Sequence, residues 1–255
     1  MPTYQEEQMA RFTRKVAIVT GAASGIGRAT AIRLASEGAT VACVDRDAKG
    51  LRATVKLLPK GKAKAFTCDL LDPASITKTV KAVVKAFGSV DVLCNIAGIG
   101  HFANDEEETL DFWNRIIGVN LTGTFLMSQA ALPHLKQSKG SIVNCASTAG
   151  THAQPLSSAY SASKGGVISL TQTMAITNGK AGVRVNCVAP GGVNTAITDQ
   201  FPIPEDADFS LFARIMPFVD MGEPEELAAA FAFLASRDAS YINGIVLRVD
   251  GGMKA

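Results

Sequence analysis

A short apolar run, KVAIVT at residues 15–20, passes straight into Thr20-Gly21-Ala22-Ala23-Ser24-Gly25-Ile26-Gly27, and a helical pattern through Ala29, Ile32, Leu34 and Ala35 follows at once. The run has the length of a strand and is rich in β-branched residues. Three glycines between a strand and a helix leave few folds open. Gly21 permits a tight turn, while Gly25 and Gly27 leave room for a bulky anion and for packing helix on strand. The first N–H groups of the helix would face that space, which suits a phosphate. Strand, glycine turn and helix together form the context of a dinucleotide-binding turn.

The alternation continues along the chain. Strand-like runs occupy residues 40–44, 63–68, 91–95, 141–146, 183–189 and 245–249. Helical patterns fill 48–58, 73–87, 156–178 and 223–236, and 105–136 is a long, partly helical stretch. Seven apolar strands separated by helices, with no break in composition, predict a single doubly wound α/β domain of Rossmann type. Its seven-stranded sheet is expected to be mostly parallel. The domain is expected over residues 15–255, after an N-terminal extension at 1–14. Residues 196–222 are irregular, long for a loop, and rich in proline and aromatics (Phe201, Pro202, Pro204, Phe212, Pro217, Phe218). They read as a substrate lid or as a packed excursion.

Composition narrows the function classes. A net charge of +2 with no basic block argues against nucleic acid as a partner. No run approaches the ~18 apolar residues of a membrane span. Residues 1–14 carry Glu6 and Glu7 and lack the apolar core of a secretory signal. The cysteines at 43, 68, 94, 145 and 187 stand singly within or at the end of apolar runs. That is not metal-ligand spacing, and it suggests buried, reduced thiols in a cytoplasmic protein.

Two further features carry chemistry. The second strand runs into Asp45, eighteen residues after Gly27. A carboxylate there can accept both adenosine ribose hydroxyls and would repel a 2′-phosphate, which favours NAD over NADP. Arg46 is the counter-argument, since a guanidinium could clamp that phosphate. Beside Asp45 it reads as packing near the adenine or lying in solvent. Further on, Tyr160 and Lys164 lie one helical turn apart on one face, in the small polar segment SSAYSASK at 157–164. A phenol is a poor acid or base at neutral pH, and a nearby cation favours its phenolate.

The chain resembles the short-chain dehydrogenases/reductases from about residue 14 to 252. The matching features are TGAASGIG at 20–27, Asp69, NIAG at 95–98, Asn120, Ser147, YSASK at 160–164 and PGGVNT at 190–195. Ser147 precedes Tyr160 by thirteen residues and Asn120 precedes it by forty, as in the main branch of that family. The resemblance implies that Tyr160 is the general acid/base, that Lys164 tunes it and holds the nicotinamide ribose, and that Ser147 binds the substrate oxygen. It implies that Asn120 distorts its helix and holds a water in a proton relay behind Lys164. Cofactor contacts are implied for Gly21, Ser24, Gly25, Ile26, Gly27, Asp45, Arg46, Asp69, Leu70, Asn95, Ala97, Gly98, Tyr160, Lys164, Pro190, Gly191, Val193 and Thr195. Many relatives have two asparagines where this chain has Asn95-Ile96, a change of local packing. Relatives preferring NADP often carry a basic residue between the loop glycines, and this chain has none.

Ile99, Gly100, His101, Phe102, residues 148–153, Gly192 and the lid are expected around the substrate. They are mostly apolar and hold no Arg/Lys cluster, so the expected substrate is a mainly apolar secondary alcohol or its ketone. A 3-oxoacyl-thioester reductase and a non-catalytic NAD(P)-binding regulator are the alternatives. The resemblance also implies a homotetramer, with Trp113 in the core or at a subunit interface.

Overall fold

A computed structural model describes residues 10–195, 197, 207–214 and 219–254. The elements run β1 (Val16–Thr20), α1 (Gly25–Ser36), β2 (Thr40–Asp45), α2 (Ala48–Leu57), β3 (Ala63–Thr67), α3 (Pro73–Phe87) and β4 (Val92–Asn95). Next come α4 (Leu110–Ile117), a π-helical turn (Gly118–Thr122), α5 (Gly123–Ser138), β5 (Ser141–Cys145), α6 (Thr148–His152), α7 (Ser158–Gly179) and β6 (Arg184–Pro190). A 3-10 turn (Phe209–Arg214), α8 (Pro224–Ala235) and β7 (Val246–Val249) complete the chain. The seven strands lie in one sheet in the order β3-β2-β1-β4-β5-β6-β7, and every pairing is parallel.

Both faces of the sheet are covered, and the alternation of side chains along each strand divides the core in two. On β1, Ala17 and Val19 join Leu34, Leu51, Leu227 and Phe231 beneath α1, α2 and α8. Val16 and Ile18 face the other way, among Ile76, Val83, Met127, Leu135 and Met174 of α3, α5 and α7. Local chemistry sets the helix starts. Asp72 accepts the N–H of Ala74 at 2.8 Å ahead of Pro73, and Glu226 accepts the N–H of Glu223 at 2.8 Å ahead of Pro224.

Each strand lies within one residue of its sequence-based bounds, but two helical stretches differ. The stretch at 105–136 is divided by the π turn. There Gly123 comes so close to the loop after β3 that a Cβ would stand 2.9 Å from Cβ of Leu70. The helix expected over 156–178 begins at Ser158, and a separate short helix, α6, precedes it. Ala153 (φ 58°) and Leu156 (φ 57°) are left-handed and break the run, and Leu156 O instead accepts the N–H of Ala103 at 2.8 Å. Residues 1–9, and 196, 198–206 and 215–218 of the expected lid, lie outside the described residues.

All five cysteines are buried as free thiols. Burial pushes Cys43, Cys94 and Cys187 up to about 12 from the ordinary 9.0. Native protein at pH 8 should therefore react with under one equivalent of a chromogenic disulfide reagent over minutes, and with all five thiols once unfolded. The linkage has a definite sign. The unfolded chain gives up these protons near 9.0 and the folded chain holds them to about 12, so stability is full below pH 9.0 and falls as pH rises toward 12.

Candidate active site

Sequence order reverses between β1 and β4, and the loops leaving their carboxyl ends diverge there. A cleft of about 710 Å3 opens at that point, in the range of small-molecule and cofactor sites. Thr20, the last residue of β1, ties its floor together. Its Oγ1 accepts the N–H of Ile96 at 2.9 Å and of Ala97 at 3.1 Å.

One end of the cleft is the glycine loop. Gly21 has φ 69°, and a Cβ on it would stand 2.9 Å from the backbone of Ala97. A Cβ on Gly27 would stand 2.1 Å from Gly21 O, so only glycine lets α1 begin this close to β1. Ser24, the N-cap of α1, makes no side-chain cap. The N–H groups of Gly25, Ile26 and Gly27 precede the first intrahelical bond, from Arg28 N to Ser24 O, and have no acceptor within the helix. Such a terminus suits an anion.

Asp45 closes β2 against this loop. One carboxylate oxygen accepts Ala23 N at 3.1 Å and the other accepts Asp47 N at 3.0 Å, which fixes its rotamer at the cleft wall. Arg46 is exposed at the mouth between Asp45 and Asp47. Hydrogen bonds, from the backbone of Gly50 first, hold the Asp47 carboxyl below its ordinary range. Asp69 and Leu70 line the adjoining wall, where Asp69 Oδ1 accepts Leu71 N at 2.9 Å.

The cleft also gathers Ser147, Tyr160 and Lys164 with Gly98, Pro190, Gly191 and Val193, while Ala97 and Thr195 stand against the glycine loop. Ser147, two residues after β5, is the N-cap of α6 and accepts Ala149 N at 3.1 Å, which leaves its O–H proton available. Lys164 is 3% exposed, and its ammonium donates to Cys145 O at 2.9 Å and stands 5.6 Å from the Tyr160 ring centroid. No carboxylate among the described residues forms an ion pair with it.

Two residues of the expected set stand behind the cleft wall. Asn120, in the π turn, is 1% exposed. Its Oδ1 accepts Ile99 N at 2.9 Å, and its Nδ2 donates to Ile99 O at 2.9 Å and Ser163 Oγ at 3.0 Å. The side chain is thus occupied in joining α5, α7 and the loop after β4. Asn95 is buried between β4, β5 and α5, and its Nδ2 donates to Ser128 Oγ and Asn144 Oδ1, both at 2.9 Å. Its side-chain amide is drawn into the sheet's polar seam and does not line the cleft.

Beyond Ser147 the cleft is apolar, walled by Phe102, Phe212, Met221 and Met253. Phe102 and Phe212 meet edge to face at 5.5 Å. His101 and His152 stand off it: His101 stacks on Phe112 at 4.5 Å, and the exposed His152 bonds Thr151. Trp113 is 37% exposed on α4, outside the core. The sequence reading missed Thr20, Ser163 and Met253, while Met221 belongs to the expected lid. Only Thr20 carried a signal, as the residue opening the glycine turn.

The family model described as enoyl-(acyl carrier protein) reductase matches residues 21–254. Meso-2,3-butanediol dehydrogenase of Serratia marcescens is 41% identical over 245 residues, 96% of either chain. The 3-oxoacyl-(acyl-carrier-protein) reductase of Thermotoga maritima is 41% identical over 247 residues, 95% of this chain and 99% of its own. Among solved structures, the 3-ketoacyl-(acyl-carrier-protein) reductase of Brucella melitensis complexed with NADH superposes with a TM-score of 0.88 at 36% identity, over 96% of this chain and 100% of that one. With a crevice at the strand reversal, a glycine loop on one side and serine, tyrosine and lysine on the other, the chain belongs to the short-chain dehydrogenase/reductase family of oxidoreductases.

Proposed function

We propose that this protein transfers a hydride between NAD and a mainly apolar secondary alcohol or its ketone, with Tyr160 as general acid/base. The observation that carries the reading is that Ser147, Tyr160 and Lys164 line the same cleft as the glycine loop and Asp45. The cradle fits a dinucleotide: Gly21 and Gly27, where a Cβ would collide with the backbone of Ala97 and of Gly21, keep the loop tight, and the uncapped start of α1 offers N–H groups to a pyrophosphate. When bound, the nicotinamide supplies the site that accepts or gives the hydride.

The chain's own residues do the rest. Ser147 donates a hydrogen bond to the substrate oxygen and fixes the carbon beneath it. Tyr160 exchanges a proton with that oxygen. Lys164, buried and without a carboxylate partner among the described residues, offsets the negative charge left when the phenol gives up its proton. Asn120 holds α7 and the loop of Ile99 in register, a positioning role that leaves the relay implied by the family resemblance open to the same residue.

Asp45 and Asp47 flank Arg46 with negative charge, which favours the unphosphorylated ribose of NAD. Asp45→Asn keeps an acceptor for the loop and removes the charge. It should lower the ratio of kcat/KM for NAD over NADP by roughly tenfold, about 1.4 kcal/mol. A wild-type preference for NADP, or an unchanged ratio in the variant, would contradict this role. 3-Oxoacyl thioesters are the second substrate class, favoured by the likeness to the Thermotoga and Brucella proteins. Following NADH absorbance over a panel of secondary alcohols, ketones and 3-oxoacyl thioesters tests both. Turnover of thioesters alone would reject the alcohol reading, and tight NAD binding with no turnover would reject both.

A further inference from the structure

The C-terminal residues are built into the far wall of the cleft. After β7 the chain reverses through Gly251 (φ 59°) and Gly252 (φ 81°), with Met253 N donating to Asp250 O at 3.0 Å. The Asp250 carboxylate accepts Gly252 N and Lys254 N, both at 3.2 Å, and the Arg248 guanidinium donates to Lys254 O. This turn rests on the end of β6: Gly191 N donates to Val249 O at 3.0 Å, and a Cβ on Gly191 would stand 2.8 Å from Cβ of Asp250.

A second segment reaches the same place. Gly222 N donates to Gly192 O at 3.0 Å and Asn194 N to Gly222 O at 2.9 Å, so residue 222 pairs with 192–194 and holds Met221 beside Gly192. A Cβ at Gly192 would lie 3.7 Å from Met221 Cε and 3.9 Å from Met253 Cε. Two thioethers from distant parts of the chain therefore converge over one glycine, on the cleft side, next to Val193.

We infer that Met253, with Met221, is a specificity-determining wall that accepts the apolar arm of the substrate and limits its length. The inference rests on the proposed alcohol or ketone reading and deepens it. Methionine has no branch, three rotatable side-chain bonds and a polarizable sulfur, so a pair of them yields to different apolar shapes where Leu or Ile would clash. Backbone hydrogen bonds fix where each side chain starts, and the flexible thioether ends adapt. The aromatic pair Phe102–Phe212 adds a stiffer surface to the same apolar end.

The test uses the full-length protein with two readouts. In the first, kcat/KM is measured with NADH over a homologous series of methyl ketones from butanone to decanone. Met253→Ala should raise the ratio of long to short ketones by about tenfold, the low end of the range for one methylene in an apolar pocket, with NADH affinity within about twofold by fluorescence titration. The second readout needs no turnover. Hydrogen peroxide converts exposed methionines to sulfoxides, which peptide mass spectrometry locates. NAD with a long ketone, a pair that cannot react, should slow oxidation of Met221 and Met253 several-fold beyond NAD alone.

Ketone turnover by wild type with an unchanged length profile in Met253→Ala overturns the inference and leaves the proposed function standing. Absent ketone turnover rejects the proposed function, and the oxidation pattern then decides: protection by the ketone upholds the wall, and no protection removes it.

Discussion

Tyr160→Phe is expected to lose about 100- to 10,000-fold in turnover of every alcohol and ketone, the usual contribution of a positioned general acid/base. Affinity for NADH should stay within about twofold and the unfolding midpoint should not move. The substitution deletes one oxygen and keeps the ring, which stands 5.6 Å from the Lys164 ammonium. The Tyr160 carbonyl accepts the Ser163 hydroxyl at 2.7 Å, and Ser163 in turn receives Asn120 Nδ2. Those bonds use the backbone and survive in the variant, so α7 remains seated and Lys164 keeps its bond to Cys145 O. A loss confined to turnover would assign the proton to the phenol. A variant retaining more than roughly a third of wild-type turnover would mean that another group supplies it, and the proposed chemistry would fail.

The parts of this site that were legible in the sequence sit at the ends of apolar runs. Asp45 and Cys145, two residues before Ser147, lie at the carboxyl ends of β2 and β5, and a parallel sheet brings such ends together whatever the helices do. The glycine loop was legible because its spacing encodes backbone clearance. Other parts depend on contacts between distant segments. The break between α6 and α7 was marked by Pro155, but Ala153 and Leu156 take positive φ without being glycine, so the form of the turn was not legible. The π turn around Asn120 arises where Gly123 meets the loop of Leu70. For Asn95 only the family resemblance implied a role, and its amide serves Ser128 and Asn144 inside the fold, partners that no local pattern names. Met253 follows two glycines that mark a reversal, but nothing local says what the reversed chain will touch.

At the opposite end of the sheet, Arg184→Met is expected to cost roughly 3 kcal/mol of folding stability, the scale of two buried acceptors left without donors. Arg184 begins β6, and its guanidinium spans the end of α8. It donates to Leu234 O at 2.9 Å, Ser236 O at 2.8 Å, Ala235 O at 3.3 Å and Ile242 O at 3.4 Å. The last carbonyls of a helix lack partners within it and carry its negative pole, so a cation there supplies both donors and charge. Burial pulls the Arg184 pKa below its ordinary value, a cost that these oxygens offset without any carboxylate. Methionine fills similar space and donates nothing. Ala235 O keeps Ser141 Oγ at 2.9 Å, but Leu234 O and Ser236 O lose their side-chain donor. Arg184→Lys should recover only part of the loss, because an ammonium cannot reproduce the fork. Urea unfolding would register the change as a lower midpoint with an unchanged slope, and a midpoint equal to wild type would show that water replaces the guanidinium at little cost. Below the transition, kcat should be retained, since Arg184 and the Pro190–Val193 segment stand at opposite ends of one strand. Tyr160→Phe should do the reverse, losing turnover and keeping stability, because the strands present their chemistry at one end and anchor the helix covering at the other.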